Sequence, residues 1–201
     1  MADGREEHVW SNHSEEHKSI SAYKIPDDQI MRRWLTRYAE PGSKVLDFGC
    51  GSGLWKDLFR DYEYYGYDQN PGMIKVAKER YPDSANQFGI TEWNKIPFPD
   101  NYFDVIFTSS VIQHNNHEHK KEVLAEFRRI LKPNGFYICT ENTFRPDNYL
   151  QHPTLGKELN WHPEMEDGYS FTAQGWSIFM QENGFRPIDY RTPSEYIYQK
   201  V

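Results

Sequence analysis

Cysteine and long apolar runs are scarce in this sequence. Only two cysteines occur in 201 residues, Cys50 and Cys139, and they form neither a disulfide framework nor a zinc-binding spacing. No stretch approaches the about 20 apolar residues of a membrane span. Residues 1–18 are acidic and polar, unlike a secretory leader. We therefore expect a cytoplasmic protein with no membrane partner and no metal site.

Positive charge is also in short supply. The chain has 23 Lys and Arg residues against 30 Asp and Glu residues, which gives a formal net charge of -7. An acidic surface repels phosphate backbones, so no nucleic-acid partner is expected. The length suits one domain spanning residues 1–201, and 14 Tyr, 12 Phe and 6 Trp supply material for its core. We expect a monomer or a homodimer.

Predicted strands alternate with predicted helices along most of the chain. Short apolar segments indicate strands at residues 44–48, 63–67, 87–90, 103–109 and 136–141. Helices are predicted from residue 27, over about 54–60, from residue 70 and over about 117–131. Asn70 is interpreted as the N-cap of the third helix and Pro71 as its first residue. This alternation favours a parallel sheet with helices on both faces.

The end of the chain departs from this alternation. After a predicted helix at about 172–183, two strands at 185–192 and 195–201 are joined only by Pro193 and Ser194. So short a link cannot make a parallel crossover, so these strands must pair antiparallel. The sequence therefore predicts a doubly wound α/β fold with a seven-stranded sheet, mostly parallel, with an antiparallel C-terminal strand.

A glycine-rich turn follows the first predicted strand. Its glycines are Gly49, Gly51 and Gly53, and such a turn lets the backbone approach a ligand at the carboxyl edge of the sheet. Asp68 ends the second strand, nineteen residues after Gly49. A carboxylate at that position can accept hydrogen bonds from ribose hydroxyls. Together these features predict a nucleoside-binding site.

The glycine spacing separates two classes of cofactor. Dinucleotide-binding folds favour Gly-x-Gly-x-x-Gly, with a pyrophosphate on the following helix. This chain has Gly-x-Gly-x-Gly, and Asp47 lies two residues before the first glycine. A carboxylate there suits a cationic ammonium group and is awkward beside a pyrophosphate. An NAD-dependent oxidoreductase is therefore a disfavoured alternative.

Four segments together resemble the class I S-adenosylmethionine-dependent methyltransferases, in particular the small-molecule branch with type 11/25-like domains. These segments are residues 45–53, 65–68, 96–106 and 127–135. The resemblance covers about residues 27–141. It implies a Rossmann-like sheet whose last strand is antiparallel, and S-adenosyl-L-methionine as the cofactor.

The resemblance also implies which residues bind this cofactor. The methionine end would be held by Asp47 and the backbone of the turn, with Ser109 and Ser110 approaching it after the fourth strand. Asp68 would bind the ribose, and Gln69 would lie near the adenine. The backbone of the turn here means Gly49, Cys50, Gly51 and Gly53. From its side chain alone, Cys50 is interpreted as a small filler residue, because nothing nearby in sequence would activate its thiol.

The adenine position is left open among three residues. Relatives often carry Gly-Asp-Ala shortly before the segment that corresponds to 96–101, and the Asp binds the adenine amino group. This chain has Thr91, Glu92 and Trp93 in that region, so Glu92 is the expected stand-in.

Two segments outside the predicted sheet are interpreted as lids. Residues 142–170 form a long stretch with little regular pattern, and loops of that length are usually functional or disordered. Its aromatic residues argue against disorder, so we interpret it as a substrate lid. Residues 1–26 form a polar lead-in, in which Tyr23 either covers the cofactor or packs on the core.

His114 is the candidate catalytic residue. It follows the fourth strand, at the edge where open α/β sheets bind ligands, and an imidazole can accept a proton near neutral pH. The alternative is a solvated loop histidine. Glu141, His152 and His162 are the other candidates for a base.

The expected reaction is methyl transfer to an oxygen or nitrogen of a small-molecule acceptor. A protein or RNA methyltransferase is the main alternative, followed by a non-catalytic binding protein and the oxidoreductase. The sequence does not name the acceptor, because the predicted lid is its least family-like part.

Overall fold

The computed structural model describes residues 29–115, 117–141, 173–191 and 195–201. The predicted N-terminal lid with Tyr23 and the predicted substrate lid, residues 142–170, lie outside the described residues. The chain divides into two compact units, one ending at Glu92 and the other beginning at Trp93. Within the described part, no helix is both long enough and apolar enough to cross a membrane.

In its described part, residues 29–92, the first unit holds three parallel strands and two α-helices. The helices are α1 (Gln29–Tyr38) and α2 (Pro71–Arg80), and the strands are β1 (Lys44–Phe48), β2 (Glu63–Asp68) and β3 (Phe88–Ile90). β2 lies between β1 and β3 and pairs with both in parallel register. Two short 3-10 helices, Lys56–Phe59 and Pro82–Gln87, complete the unit.

The helix boundaries follow from local chemistry. α1 buries an apolar stripe of Met31, Trp34 and Leu35. α2 begins as predicted, because the Asn70 side-chain oxygen accepts hydrogen bonds from the N–H groups of Gly72 at 2.8 Å and Met73 at 3.3 Å. The N-cap prediction for Asn70 is therefore confirmed.

The helix predicted at 54–60 was wrong in type and extent. The segment instead makes i+3 backbone hydrogen bonds, from Lys56 N–H to Gly53 O and from Leu58 N–H to Trp55 O, and only Lys56–Phe59 is a 3-10 helix. The tight turns bury Trp55, Leu58 and Phe59 immediately after a left-handed glycine turn. Too few residues remain for a stable α-helix.

Aromatic rings cover two glycines of β2 and β3. A Cβ atom at Gly66 would lie 2.8 Å from the Phe88 ring and 2.6 Å from the Tyr64 hydroxyl. A Cβ atom at Gly89 would lie 2.5 Å from the Tyr67 ring. Both distances are shorter than real Cβ contacts, so the aromatic side chains would have to shift to admit a larger residue.

The second unit holds the other four strands. It contains β4 (Phe103–Ser109), a 3-10 helix (Ile112–His114), α3 (His117–Ile130), β5 (Leu131–Thr140), α4 (Ala173–Glu182), β6 (Phe185–Arg191) and β7 (Glu195–Lys200). β4 and β5 are parallel, whereas β7 pairs antiparallel with both β5 and β6. The predicted C-terminal hairpin is confirmed.

β5 begins earlier than predicted. Leu131 pairs with Phe103 and Phe136 with Val105, so residues 132–135 form an irregularity between two paired positions. A turn lies there, with Asn134 in the left-handed region at φ 62°. It interrupts the register without ending the strand.

The strand order is β3-β2-β1-β4-β5-β7-β6 in one seven-stranded sheet. This confirms the predicted doubly wound α/β fold. In the second unit, α3 buries Val123, Leu124 and Phe127. Its Arg129 donates to the carbonyl oxygens of Ile96 at 2.9 Å and Phe98 at 2.7 Å, which fixes the segment before β4.

Candidate functional site

The glycine turn after β1 has a fixed backbone. Gly49, Gly51 and Gly53 have φ values of 73°, 52° and 76°, a conformation that favours glycine. The N–H groups of Gly49 and Cys50 donate to the carbonyl oxygen of Tyr67 at 2.7 and 3.1 Å. The turn is thereby tied to the end of the neighbouring strand β2.

Asp68 completes this connection. Its carboxylate accepts hydrogen bonds from the N–H of Gly51 at 2.9 Å through Oδ2 and from the N–H of Asn70 at 2.8 Å through Oδ1. Burial raises the pKa of Asp68, while the backbone N–H groups of Asn70, Gly51 and Gln69 lower it. A carboxylate offers about four acceptor positions, so Asp68 keeps capacity to accept a further hydrogen bond. Asp68, the residue predicted to bind the ribose, therefore lies directly beside the glycine turn.

Asp47 lies in the interior of the first unit. The side chain is 1% exposed, and Oδ2 accepts a hydrogen bond from the Tyr64 hydroxyl at 2.8 Å. Burial raises the pKa of Asp47 to about 7, the Tyr64 hydrogen bond opposes this, and the charge of Asp68 raises it further. Two carboxylates therefore repel each other near the glycine turn. A contact between Asp47 and the cofactor stays a prediction.

Cys50 behaves as a buried small residue. Its side chain is 5% exposed, and burial raises the pKa of the thiol well above its usual value. A neutral thiol acts neither as a nucleophile nor as a metal ligand, because the thiolate is the form that does both. The turn uses its backbone N–H, which is consistent with the filler interpretation.

Three of the four candidate adenine-binding residues lie in the first unit, close to Asp68. Thr91 is buried; its N–H donates to the carbonyl oxygen of Asp68 at 3.1 Å and its hydroxyl to that of Glu92. Gln69 and Glu92 are exposed. Trp93 belongs to the second unit, where its indole N–H donates to the carbonyl oxygen of His119 at 2.7 Å. Of these four candidates, Gln69 and Glu92 are thus the exposed ones.

In the second unit, the turn after β4 is held by the end of β5. Ser109 accepts a hydrogen bond from the Thr140 hydroxyl at 2.8 Å. Ser110 is exposed and left-handed at φ 57°, and its N–H donates to the carbonyl oxygen of Thr140 at 2.7 Å. His114 ends the following 3-10 helix, and its side chain lies outside the described residues.

Glu141, considered above only as an alternative base, is 2% exposed. It accepts hydrogen bonds from the Thr108 hydroxyl at 3.0 Å and from the N–H groups of Ile112 at 3.2 Å and Gln113 at 2.9 Å. Burial raises the pKa of Glu141 to about 7, against the effect of these donors. The carboxylate therefore fastens the turn that carries His114.

Lys120 was missed in the sequence, although its spacing signals burial. It precedes Val123, Leu124 and Phe127 on the apolar face of α3, so a helical repeat places it inward. The side chain is 1% exposed, and burial lowers its pKa to about 8 while the charge of Glu141 raises it. A buried cation and a buried anion thus share one region of the second unit.

Within residues 29–115, 117–141, 173–191 and 195–201, no group of three or more His, Cys, Asp or Glu side chains is arranged to hold a metal ion.

Sequence comparison points to one family. Residues 46–139 match the family model described as a methyltransferase domain. The ubiquinone/menaquinone biosynthesis C-methyltransferase UbiE of Burkholderia cenocepacia (strain HI2424) is 37% identical over 111 residues, which cover 50% of this chain and 44% of that protein. The chain thus spans less than half the length of the curated relatives it matches.

Solved structures share the fold. The PH0226 protein from Pyrococcus horikoshii OT3 has a TM-score of 0.67 at 21% identity, covering 87% of this chain and 90% of that one. A SAM-dependent methyltransferase from Methanosarcina mazei has a TM-score of 0.66 at 20% identity, covering 83% and 96%. At these identities the likeness shows the fold alone.

Because Asp47 is buried, we expect the free energy of unfolding of the protein to depend on pH. Because its folded pKa of about 7 exceeds the ordinary value of 3.8, the stabilising contribution is full below pH 3.8 and is lost as the pH rises to about 7. In Asp47→Asn the neutral amide removes this loss. We expect the free energy of unfolding of the wild type, relative to the variant, to fall between pH 5 and pH 7 by about 1.4 kcal/mol per pH unit at most.

Urea denaturation of the ligand-free protein from pH 5 to pH 8 measures this difference. The exposed carboxylate of Asp61 supplies the control, since Asp61→Asn should change stability by no more than about 0.5 kcal/mol. A difference between wild type and Asp47→Asn that does not vary with pH would refute the assignment of a raised pKa to Asp47.

Proposed function

We propose that this chain, which belongs to the class I S-adenosylmethionine-dependent methyltransferases through residues 46–139, transfers a methyl group to an oxygen or nitrogen of a small-molecule acceptor. The observation that supports it best is the bond between the glycine turn and Asp68, because it joins a close-approach backbone to a carboxylate with acceptor capacity.

The residues at the glycine turn fit S-adenosylmethionine. Asp47 and Asp68 repel each other, and a cationic ammonium group relieves that repulsion, whereas a pyrophosphate would increase it. Asp68 also has acceptor positions for ribose hydroxyls. When bound, this cofactor supplies a methyl group on a sulfonium, which is a ready electrophile.

The task of the protein residues is alignment more than chemical activation. Asp68 would bind the ribose, Gln69 or Glu92 would meet the adenine, and the turn backbone with Asp47 would hold the methionine end. Ser109 and Ser110 would contribute from the turn after β4. Alignment of an acceptor and exclusion of water can supply several kcal/mol of the barrier. A base is needed only where the acceptor is a hydroxyl or an ammonium group.

A carbon acceptor is the second candidate. It is favoured by the relatives named as C-methyltransferases, which match half of this chain at 37% identity. The net charge of -7 supports a small molecule over RNA in either case. The free, buried thiols of Cys50 and Cys139 support a cytoplasmic location. We retain the proposal of a monomer or a homodimer.

A labelled-methyl screen tests the proposal. The protein is incubated with methyl-¹³C S-adenosylmethionine and a fractionated metabolite extract, and products are found by mass spectrometry. The ¹³C chemical shift of the new methyl group then separates oxygen, nitrogen and carbon acceptors. Label recovered only in protein or RNA would overturn the small-molecule assignment.

Cofactor affinity should depend on Asp68. Asp68→Ala removes hydrogen bonds to a charged group, so we expect binding of S-adenosylmethionine to weaken by about 1.5–3 kcal/mol. Titration calorimetry measures this, and circular dichroism checks that the fold is intact. Asp83→Ala, which removes an exposed carboxylate from the same unit, should bind normally. Unchanged affinity in Asp68→Ala would remove the ribose assignment.

His114 is proposed as the general base for a hydroxyl or ammonium acceptor. His114→Ala should lower turnover by about 10²–10⁴-fold with cofactor affinity nearly unchanged. Higher pH should partly restore the rate, because the acceptor then loses its proton unaided. His119→Ala, in the first turn of α3, is the control and should retain turnover. A small loss that does not depend on pH would contradict the role of base.

A further inference from the structure

One buried carboxylate organises the turn between β4 and α3. Glu141 follows the last residue of β5, yet its hydrogen bonds reach β4 and the 3-10 helix. Oε1 accepts from the Thr108 hydroxyl and the Ile112 N–H, and Oε2 accepts from the Gln113 N–H at 2.9 Å. Glu141 therefore joins the ends of two neighbouring strands to the turn that leaves one of them.

The same contacts argue against a direct chemical role for Glu141. Both carboxylate oxygens already accept hydrogen bonds from the protein, and the side chain is 2% exposed. A general base must lie within hydrogen-bond reach of the proton that it removes. Glu141 is enclosed and engaged, which suits a residue that acts through the backbone of the turn.

Keeping a charge in this position requires compensation. A buried ion without a partner costs several kcal/mol, and backbone N–H donors offset only part of that cost. Lys120 on α3 is 1% exposed, and the charge of Glu141 raises its pKa. Within the described residues, Glu141 also raises the pKa values of Tyr137 and Cys139 on β5, which burial already raises well above the usual range. Tyr137 and Cys139 therefore stay neutral near pH 7.

The position of the turn gives this arrangement its significance. β4 and β5 are parallel, and ligands bind at the carboxyl ends of parallel strands in open α/β sheets. The turn leaves β4 at that edge. It carries Ser110 in a left-handed conformation and ends at His114. A small displacement of groups at such an edge can lower a rate by about 10²-fold.

We propose that Glu141 is a positioning residue for methyl transfer, which holds the turn at residues 110–114 in its active conformation. The inference rests on the proposed function. It assigns Glu141 a role through the hydrogen bonds that it accepts from the turn. Protonation of Glu141 then loosens the turn without disturbing the glycine turn or Asp68.

The test follows the amide hydrogens of Ile112 and Gln113 by NMR-detected hydrogen exchange, corrected for the intrinsic effect of pH. In the wild type we expect their protection to fall as the pH drops through about 7, because a protonated carboxyl is a weaker acceptor. In Glu141→Gln, exchange of both amides should be about 10–100-fold faster and should not vary with that titration.

Two further measurements separate positioning from general stability. S-adenosylmethionine affinity, measured by calorimetry, should change less than about threefold in Glu141→Gln, whereas the release of S-adenosylhomocysteine with the fractionated extract should slow by about 10–100-fold. Glu118→Gln is the matched control. Glu118 is an exposed residue of α3, the helix that follows the turn, and it pairs with Lys121 at 2.8 Å. It should match the wild type in every measurement.

The following results would overturn the positioning role of Glu141 or the proposed function. Unchanged exchange at Ile112 and Gln113, or faster exchange with an unchanged rate of methyl transfer, overturns the proposal. If Glu141→Gln does not fold, a wild-type protection that is flat through pH 7 overturns it equally. A wild type that binds cofactor, shows the expected exchange and transfers no methyl group to small molecules overturns the proposed function, and the two failures are thereby distinguished.

Discussion

The hydrogen bond from the Gly51 N–H to the Asp68 carboxylate is the constraint on which the first unit depends. It fixes a left-handed glycine turn against the end of β2, and the Asn70 N–H fixes the other carboxylate oxygen at the start of α2. One side chain thus sets the relation between a strand, a turn and a helix. Burial raises the pKa of Asp68, and the backbone donors, which lower it, favour the ionised form. The same donors orient it as an acceptor for a ligand.

The second unit uses the same physical device with a different carboxylate. Glu141 accepts two backbone N–H groups and a hydroxyl in a buried position, and Lys120 supplies an opposite charge. In both units a loop at the carboxyl end of a strand donates backbone hydrogen bonds to a carboxylate. Such loops keep polar groups near the ligand edge while having a single conformation. The rigidity of these loops therefore depends on the protonation state of the carboxylate, whereas apolar packing does not depend on pH in this way.

The sequence predicted the fold well because its signals were local. Glycine spacing, the Asn70 cap and the short link at Pro193 and Ser194 each determine backbone geometry within a few residues. The α-helix predicted at 54–60 was wrong. Its apolar spacing fitted a helix, but the preceding glycine turn left room only for a 3-10 turn. Glu141 and Lys120 were not found as a unit because their relation joins residues twenty-one apart in the chain through tertiary burial. Lys120 alone had a readable signal in its helical spacing.

The rings that cover Gly66 and Gly89 affect how related sequences should be compared. Glycine retained at these two positions would reflect the space taken by Tyr64, Tyr67 and Phe88. Exchange of an aromatic residue for a smaller one would leave space for a side chain at the glycine that it covers. Each glycine and its aromatic neighbour should therefore vary together across a family. Co-variation among these five residues would report on aromatic packing between strands, and it should be set aside when invariant glycines are used to locate catalytic positions.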